Sequence, residues 1–333
     1  MLSGKFVVHI IGSRAFANAA RQSNPRRKAL RHLLLPLAAL LAGPAVAQTA
    51  PQTAPAQANS NRWATVDENL GRGGTTQPDG VRRYAFPRSD LNVQLDGVAI
   101  KPALALGSWL AFMPMGEEAM VMGDLVLTHD EVNPVMSKLL TSGFTVTALH
   151  NHLLRSSPAT MYLHVGGHGD PGEMAKNLRS ALAESRTPMT APAKAADSKL
   201  DFDTAAIDGI MGGKGKPNGG VYQFGFPRAE KLSDSGMPAP ASMGTATALN
   251  FQPTGGGKAA ITGDFVLTAA EVDPVLRALR SNGIEVTALH NHMLDDQPRL
   301  FFMHFWANDD ARKLARGLRA ALDKTNIVRP AAG

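Results

Sequence analysis

The chain contains no cysteine, which excludes disulfide bonds, a thiolate metal site, a cysteine nucleophile and a lipid-modified amino-terminal cysteine. It also has no apolar run of about 20 residues, the length that an α-helix needs to cross a membrane. A stable fold must therefore rest on its hydrophobic core. The roughly 270 residues that follow the amino-terminal segments described below are enough for two domains.

Acidic residues are absent from the first 47 positions, which hold seven of the lysines and arginines. A short apolar stretch, Leu33–Ala42, follows the basic part, and Ala45-Val46-Ala47 precedes Gln48. A basic segment, a short apolar segment and an A-x-A site are the three parts of a cleaved secretory signal peptide. The sequence therefore predicts a periplasmic or secreted protein. Arg26-Arg27 leaves both the general and the twin-arginine export routes open.

We expect the signal peptide to be cleaved after Ala47, because the A-V-A/Q junction has the small residues that signal peptidase requires. The exported protein should then begin at Gln48, which amino-terminal sequencing of the exported form checks. An exported protein that still carries residues 26–41 would contradict this prediction.

The positive charge of the chain lies in this leader. The formal net charge is +6, and removal of the seven basic residues before Gln48 leaves −1. Binding to nucleic acid needs a clustered positive surface, so the sequence predicts no nucleic-acid partner. It also predicts no stable membrane insertion once the signal peptide is removed.

The rest of the sequence aligns with itself at an offset of 140 residues. Gly123–His152 and Gly263–His292 share 18 of 30 residues without a gap, which indicates a duplicated segment of about 120 residues. The predicted organisation is a signal peptide (1–47), a disordered tether rich in Ala, Gln, Thr and Pro (48–60), repeat one (61–186), a linker (187–200), repeat two (201–325) and a tail (326–333).

Each repeat has a pattern of elements that predicts the order β-α-β-β-α. Thr128 with Glu131, and Thr268 with Glu271, form capping boxes at the start of the first helix. Apolar segments upstream predict additional antiparallel strands at 81–86, 109–112, 221–226 and 246–251. The predicted fold class is α+β, with two tandem ferredoxin-like repeats related by a pseudo-two-fold axis.

Six of the eight histidines beyond residue 47 fall at equivalent positions of the two repeats: His150, His152 and His164, and His290, His292 and His304. Residues i and i+2 of a strand face the same side, and an antiparallel neighbour brings a third residue opposite them. Three converging imidazoles are suited to Zn²⁺ or Cu²⁺ with one coordination position left open. The sequence therefore predicts one metal site in each repeat.

Other polar residues are candidates around these sites. His168 and Asp170, on a glycine-rich turn, favour a tighter site in repeat one, although Asp170 equally fits a helix N-cap. Asp124 and Asp264 are candidates to support the histidines or to be strand or turn carboxylates. Arg88 and Arg228 are candidates to bind a carboxylate or phosphate, or to satisfy backbone carbonyls at a strand end.

A structural role for the histidines is the competing interpretation, since Ile284, Val286 and Ala288 lead into the His290/His292 pair as one apolar stripe. Three function classes stay open: a metal-binding module, a zinc-dependent hydrolase on a cell-wall or small anionic substrate, and a ligand-binding or scaffold protein with structural histidines. The sequence lacks the upstream His/Asp ligand motif of cell-wall zinc peptidases, which counts against the hydrolase. Whether the protein is an enzyme stays open.

The longest motifs are GDLVLT-x-x-EV-x-PV followed by ALHNHL, with FPR and GVAIKPALALGSWLAF upstream. In these the chain resembles the LppY/LpqO lipoprotein family, a bacterial group of unknown function, over nearly all of the predicted mature chain. The resemblance implies an exported, duplicated domain and brings no established activity. Because this chain has no cysteine to carry a lipid, it is expected to be a free periplasmic protein.

Overall fold

The computed structural model of the protein describes residues 55–190 and 200–329. The predicted signal peptide lies outside the described residues. The same holds for residues 48–54 of the predicted tether, 191–199 of the predicted linker and 330–333 of the predicted tail.

Repeat one contains these elements in chain order: α1 (Pro55–Leu70), β1 (Thr75–Thr76), β2 (Arg82–Pro87), β3 (Gln94–Leu95), β4 (Val98–Ala99), α2 (Pro102–Ala105), β5 (Gly107–Met115), β6 (Glu118–Thr128), α3 (His129–Thr141), β7 (Thr145–His150), β8 (Thr160–Gly169) and α4 (Pro171–Leu182). Residues 55–60, predicted as part of the tether, thus form the first turns of a helix.

Repeat two contains the equivalent elements: α5 (Thr204–Met211), β9 (Lys216–Asn218), β10 (Val221–Phe226), β11 (Ser233–Asp234), β12 (Met237–Pro238), a 3₁₀ turn (Ala241–Met243), β13 (Thr247–Gly255), β14 (Lys258–Thr268), α6 (Ala269–Ser281), β15 (Glu285–His290), β16 (Asp296–Gln297), β17 (Leu300–Asp310) and α7 (Ala311–Leu322). In the described part of the chain, no helix is long and apolar enough to span a membrane.

Each repeat builds one six-stranded antiparallel sheet, in the orders β1-β2-β5-β6-β8-β7 and β9-β10-β13-β14-β17-β15. The predicted order β-α-β-β-α is present, with β8 antiparallel between β6 and β7. The strand on the other side of β6 is β5, which precedes it in the chain. In a β-α-β-β-α-β unit a strand after the second helix completes the pattern, so the ferredoxin-like description is not confirmed.

The helices begin where short polar side chains cap them. Glu131 accepts a hydrogen bond from the backbone N–H of Thr128 at 2.9 Å, and Glu271 accepts one from Thr268 at 2.7 Å, as the capping boxes predict. Strand β17 continues to Asp310, and the side chain of Asp310 caps α7.

Each sheet buries both of its faces. On β8, Leu163 and Val165 pack against the helices of repeat one, whereas the alternating Tyr162 faces a second core that contains residues of both repeats. Two such mixed cores lie between the sheets. One joins Tyr162 to Trp306, and the other joins Met120 to Phe302. The protein therefore has two sheets packed on each other, with helices on the outer faces.

A β-bulge decides which face the histidines occupy. In β15, Val286 lies opposite Phe305 and Ala288 lies opposite His304, so Thr287 is left without a partner in the ladder. The extra residue shifts the alternation. Val286 packs on the helix-side core, whereas the histidines that follow face the other repeat. The expected continuous stripe of Val286, Ala288 and His290 is therefore wrong.

We expect repeat one expressed alone, as residues 61–190, to aggregate or dimerise. Without repeat two, the buried side chains of the mixed cores, Tyr162, Met120 and Met122 among them, become an exposed apolar sheet face, and such faces drive association. Size-exclusion chromatography with light scattering checks this. A stable monomeric fragment would contradict it.

Candidate metal centre

The six equivalent histidines meet in one cluster between the two sheets. Each ring stacks on a ring from the other repeat, with centroids 3.7 Å apart in all three pairs: His150 with His290, His152 with His304, and His164 with His292. A two-fold exchange of the repeats leaves the first pair unchanged and interchanges the other two. The sequence predicted one separate metal site in each repeat. That placement is wrong, because the two histidine triads lie together between the sheets.

Local structure explains how each histidine reaches this cluster. His150 is the last residue of β7, beyond the bulge, and His152 follows two residues later. His164 lies on β8 directly opposite Asp124 of β6. The hydroxyl of Thr287 donates a 2.7 Å hydrogen bond to the carbonyl of His152, which links the repeats beside the cluster.

Two aromatic side chains that sequence reasoning missed hold the cluster from either side. Tyr162 stacks on His152 with ring centroids 3.4 Å apart, and Phe302 stacks on His292 at 3.5 Å. Each stands two residues before a cluster histidine on the same strand. The two-residue alternation of a strand was therefore the signal that could have found them.

The ring nitrogens are close enough to share an ion. His150, His290, His292 and His304 each offer one nitrogen, and these four atoms lie within 4.8 Å of one another. The Nε2 atoms of His150 and His152 are 3.0 Å apart. Two imidazoles on one tetrahedral zinc, with Zn–N bonds of about 2.0–2.1 Å, place their nitrogens roughly 3.3 Å apart. The 3.0 Å pair is near this value and is also a hydrogen-bond distance, whereas the four-histidine group spans up to 4.8 Å and would have to contract around an ion.

The cluster also holds most of the buried polar atoms that lack a hydrogen-bond partner. Eleven such side-chain atoms occur within the described residues, and seven belong to this region: Asp124 Oδ1, His150 Nδ1, His164 Nε2, Asp264 Oδ1, His290 Nε2, His292 Nε2 and His304 Nε2. Buried polar atoms without a partner cost free energy and are rare in native proteins. A metal ion would supply the missing partner for the ring nitrogens and the carboxylates alike.

Two of the rings have a defined tautomer. Nδ1 of His304 lies 2.8 Å from the carbonyl oxygen of Gly263, and Nδ1 of His290 lies 3.3 Å from that of Asn291. A carbonyl only accepts, so each Nδ1 carries the proton and each Nε2 presents a lone pair. Metal-binding histidines are commonly oriented by such a bond from the second nitrogen.

The rings are held neutral. Burial, with smaller contributions from neighbouring imidazoles, lowers the pKa of His304 to about 3. Burial also lowers the pKa of His290 to about 4, and it lowers the pKa values of the other four histidines well below their usual range. The neutral imidazole is the form that binds a metal, so burial keeps the rings in the protonation state that a bound ion would require.

Two carboxylates border the cluster. Asp124 Oδ2 lies 3.6 Å from His164 Nε2, and Asp264 Oδ1 lies 4.0 Å from His304 Nδ1. Burial raises the pKa of Asp124 to about 8 and the pKa of Asp264 well above its usual range. Both residues thus lie beside the histidines, as the sequence suggested, and the attraction of Arg83 only partly opposes the rise in the pKa of Asp124.

His168 and Asp170 do not join the cluster. His168 Nε2 is 3.3 Å from Glu118 Oε2, and both side chains are exposed. His168 lies four residues beyond His164 on the same strand, which places it roughly 13 Å away. Asp170 accepts a 2.8 Å hydrogen bond from the backbone N–H of Glu173 as the N-cap of α4. The expected advantage of repeat one therefore has no structural basis.

Arg88 and Arg228 are occupied by partners within the chain. Arg88 is fully buried, pairs with both oxygens of Glu131 at 2.7 and 3.1 Å, and donates to the carbonyl of Val126. Its remaining donors pair with Asp90. Arg228 makes the same bonds to Glu271, Val266 and Glu230. Each arginine therefore donates to a backbone carbonyl, as one of the two interpretations expected. Its other donors are taken by carboxylates of the chain itself, so neither arginine is free to bind a carboxylate or phosphate ligand.

A family described as Domain of Unknown Function (DUF1259) matches the sequence twice, at residues 64–184 and 205–324. The chain belongs to this family. The two matches support the duplication inferred from the sequence, whereas the resemblance to the LppY/LpqO family stays a resemblance.

No curated protein matches this chain. Among solved structures, a trimeric bacterial microcompartment shell protein, PduB, is similar over 77% of this chain and 95% of its own, with 11% identity and a TM-score of 0.22. A likeness at that level carries no argument about fold or function.

Proposed function

We propose that this protein binds a divalent transition metal, Zn²⁺ or Cu²⁺, at the six-histidine cluster between its repeats. The observation that supports this most is the set of unpartnered Nε2 atoms on His164, His290, His292 and His304. Imidazole nitrogen suits both metals. We further propose that the protein is of the LppY/LpqO type and acts after export, in the periplasm or outside the cell.

Metal analysis of the purified protein tests this proposal. The full chain is stripped with a chelator, reloaded separately with Zn²⁺ and Cu²⁺, and passed through a desalting column. At least one ion should remain bound per chain. If neither metal is retained, the histidines have only a structural role and the proposal fails.

The acid sensitivity of the metal-free protein offers a second check. In the unfolded chain histidines titrate near 6.5, whereas burial lowers the pKa of His290 to about 4 and of His304 to about 3. Between pH 6.5 and these lowered pKa values, the unfolded state binds more protons than the folded state. The contribution of the neutral histidines to stability is therefore complete above pH 6.5 and decreases as the pH falls below it. Each such proton contributes about 1.4 kcal/mol per pH unit.

The two aspartates work in the opposite direction. With a raised pKa, Asp124 and Asp264 bind protons in the folded state, but six histidines outweigh two carboxylates below pH 6.5. We expect the thermal midpoint of the metal-free protein to drop steadily from pH 6.5 to pH 4.5 in calorimetry. A midpoint that stays constant over this range would contradict the buried neutral state of the cluster.

A further inference from the structure

We propose that four methionines of repeat one form a second metal site, which binds Cu(I): Met113, Met115, Met120 and Met122. This site is separate from the histidine cluster and does not depend on whether the cluster holds an ion. Thioether sulfur is a soft, uncharged ligand of the kind that suits Cu(I).

The four side chains lie on one face of the β5/β6 hairpin. Met113 lies directly opposite Met120 in the antiparallel ladder. Met115 is two residues from Met113 and Met122 is two residues from Met120, so all four point to the same side of the sheet. Cβ atoms of opposite residues are about 5 Å apart, and diagonal neighbours stay within reach of long side chains. Four flexible thioethers can therefore converge on one ion above this face.

This face of the hairpin is turned toward the other repeat. Met120 and Met122 are buried in the mixed core that contains Phe302, and Met113 and Met115 pack against that core half-buried. The intervening Val121 packs instead on the helix-side core. A half-buried pair of methionines beside a buried pair gives an ion both an approach from solvent and a place shielded from water.

The site lies between the solvent and the histidine cluster. Met120 lies opposite the exposed His168 in the β6/β8 ladder. Met122 is two residues from Asp124, which borders the cluster, and two residues of a strand span roughly 7 Å. Cu(I) that enters at the exposed end of the hairpin thus reaches the thioethers before it reaches the histidines.

Gly166 leaves room beside the methionines. It lies opposite Met122 across the ladder. A Cβ atom at this position would meet Thr147 Cγ2 at 3.9 Å and, apart from adjoining residues, no other atom of the described chain within 4 Å. The equivalent residue of repeat two is Trp306, which lies opposite Thr262 and is buried in the other mixed core. Repeat two thus has an indole where repeat one leaves space next to its thioethers.

The methionines belong to repeat one alone. The equivalent ladder positions of repeat two hold no sulfur; they are Gln252, Gly255, Ala260 and Thr262. Gln252 is occupied by hydrogen bonds with the backbone of Lys101 and Ala99. The mixed core around Trp306 includes no methionine among its described residues. Packing of the two sheets therefore does not require sulfur, and the thioethers of repeat one call for another role.

Anaerobic titration of the full chain with Cu(I), in competition with the chelator bicinchoninate, tests this inference. X-ray absorption at the copper edge, on protein loaded with excess Cu(I) and then desalted, identifies the ligand atoms. The wild type should show copper–sulfur scattering. Met113→Leu with Met120→Leu should lose most of it and weaken this binding at least about 100-fold, because loss of a group that only orients a ligand already costs 10–100-fold. Leucine is close to methionine in volume, so the fold should be kept.

Met136→Leu with Met174→Leu is the matched control, because both of these methionines pack on the helix-side core of repeat one. This variant should bind Cu(I) as the wild type does. A wild type without copper–sulfur scattering, or a Met113→Leu and Met120→Leu protein that keeps it unchanged, overturns the inference.

The two metal sites fail separately. The histidine cluster coordinates through nitrogen, so absence of sulfur scattering leaves the proposed function standing. Conversely, His292→Ala with His304→Ala should remove metal from the cluster and keep the copper–sulfur scattering. Loss of that scattering in this histidine variant would contradict a thioether site separate from the cluster.

Discussion

Replacing two histidines within a single repeat is expected to abolish tight metal binding by the whole protein. His292→Ala with His304→Ala removes one ring from two of the three stacked pairs that join the repeats, since His292 stacks on His164 and His304 on His152. Loss of a single orienting group beside a metal already costs 10–100-fold in affinity. We therefore expect the affinity for Zn²⁺ to fall by at least about 100-fold in titration calorimetry.

The mirror-image variant in repeat one, His152→Ala with His164→Ala, should have the same effect. His168→Ala is the control, because His168 is exposed and paired with Glu118. The affinity of this variant for Zn²⁺ should equal that of the wild type within experimental error. If one double variant keeps an intact high-affinity site in the other repeat, the repeats bind metal independently and the shared cluster is not the site.

A large loss of stability is expected from Arg88→Met. Arg88 is fully buried and pairs with Glu131, whose side chain is 5% exposed. Removing the guanidinium leaves that buried carboxylate with only the exposed Arg186, whose Nε is 3.4 Å from Oε1, as a cation. Breaking a buried ion pair in this way typically costs about 3–5 kcal/mol. The same pairing, together with backbone hydrogen bonds, lowers the pKa of Glu131 to about 2 against the desolvation that opposes it.

Denaturant unfolding of Arg88→Met and Arg228→Met measures this loss, and the exposed pair of Arg277 with Asp273 supplies the control. Arg277→Ala should change the free energy of unfolding by no more than about 1 kcal/mol. Because Glu131 has a lowered pKa, its contribution is full above about pH 4.5 and is lost as the pH falls toward 2. An Arg88→Met protein as stable as the wild type would show that the network contributes little.

Local sequence signals predicted the elements well. Capping boxes located α3 and α6, and the strand predicted at 221–226 has the same bounds as β10. These features depend on a few neighbouring residues, such as Thr128 and Glu131, whose backbone and side-chain hydrogen bonds form within one helical turn. The duplication was equally visible, because it is a property of the sequence itself.

The candidate site was predicted only in part. The H-x-H spacing and the third histidine identified all six rings, but not that the two triads meet. Their meeting depends on the packing of one sheet on the other and on the bulge at Thr147 and Thr287, which turns the pairs toward the interface. The bulge is one extra threonine in each strand, and a single extra residue produces no periodic pattern in the sequence by which it could be predicted. His168 was assigned to the site wrongly for a related reason. It is only four residues from His164 in the sequence, but four residues of an extended strand span roughly 13 Å.

Anomalous X-ray diffraction from crystals of the full chain loaded with Zn²⁺, collected at the zinc absorption edge, tests the central claim most directly. Anomalous density should appear between the two sheets, within bonding distance of histidines from both repeats. Metal density confined to one repeat, or found only at the surface beside His168 and Glu118, would contradict a metal centre built by the two repeats together.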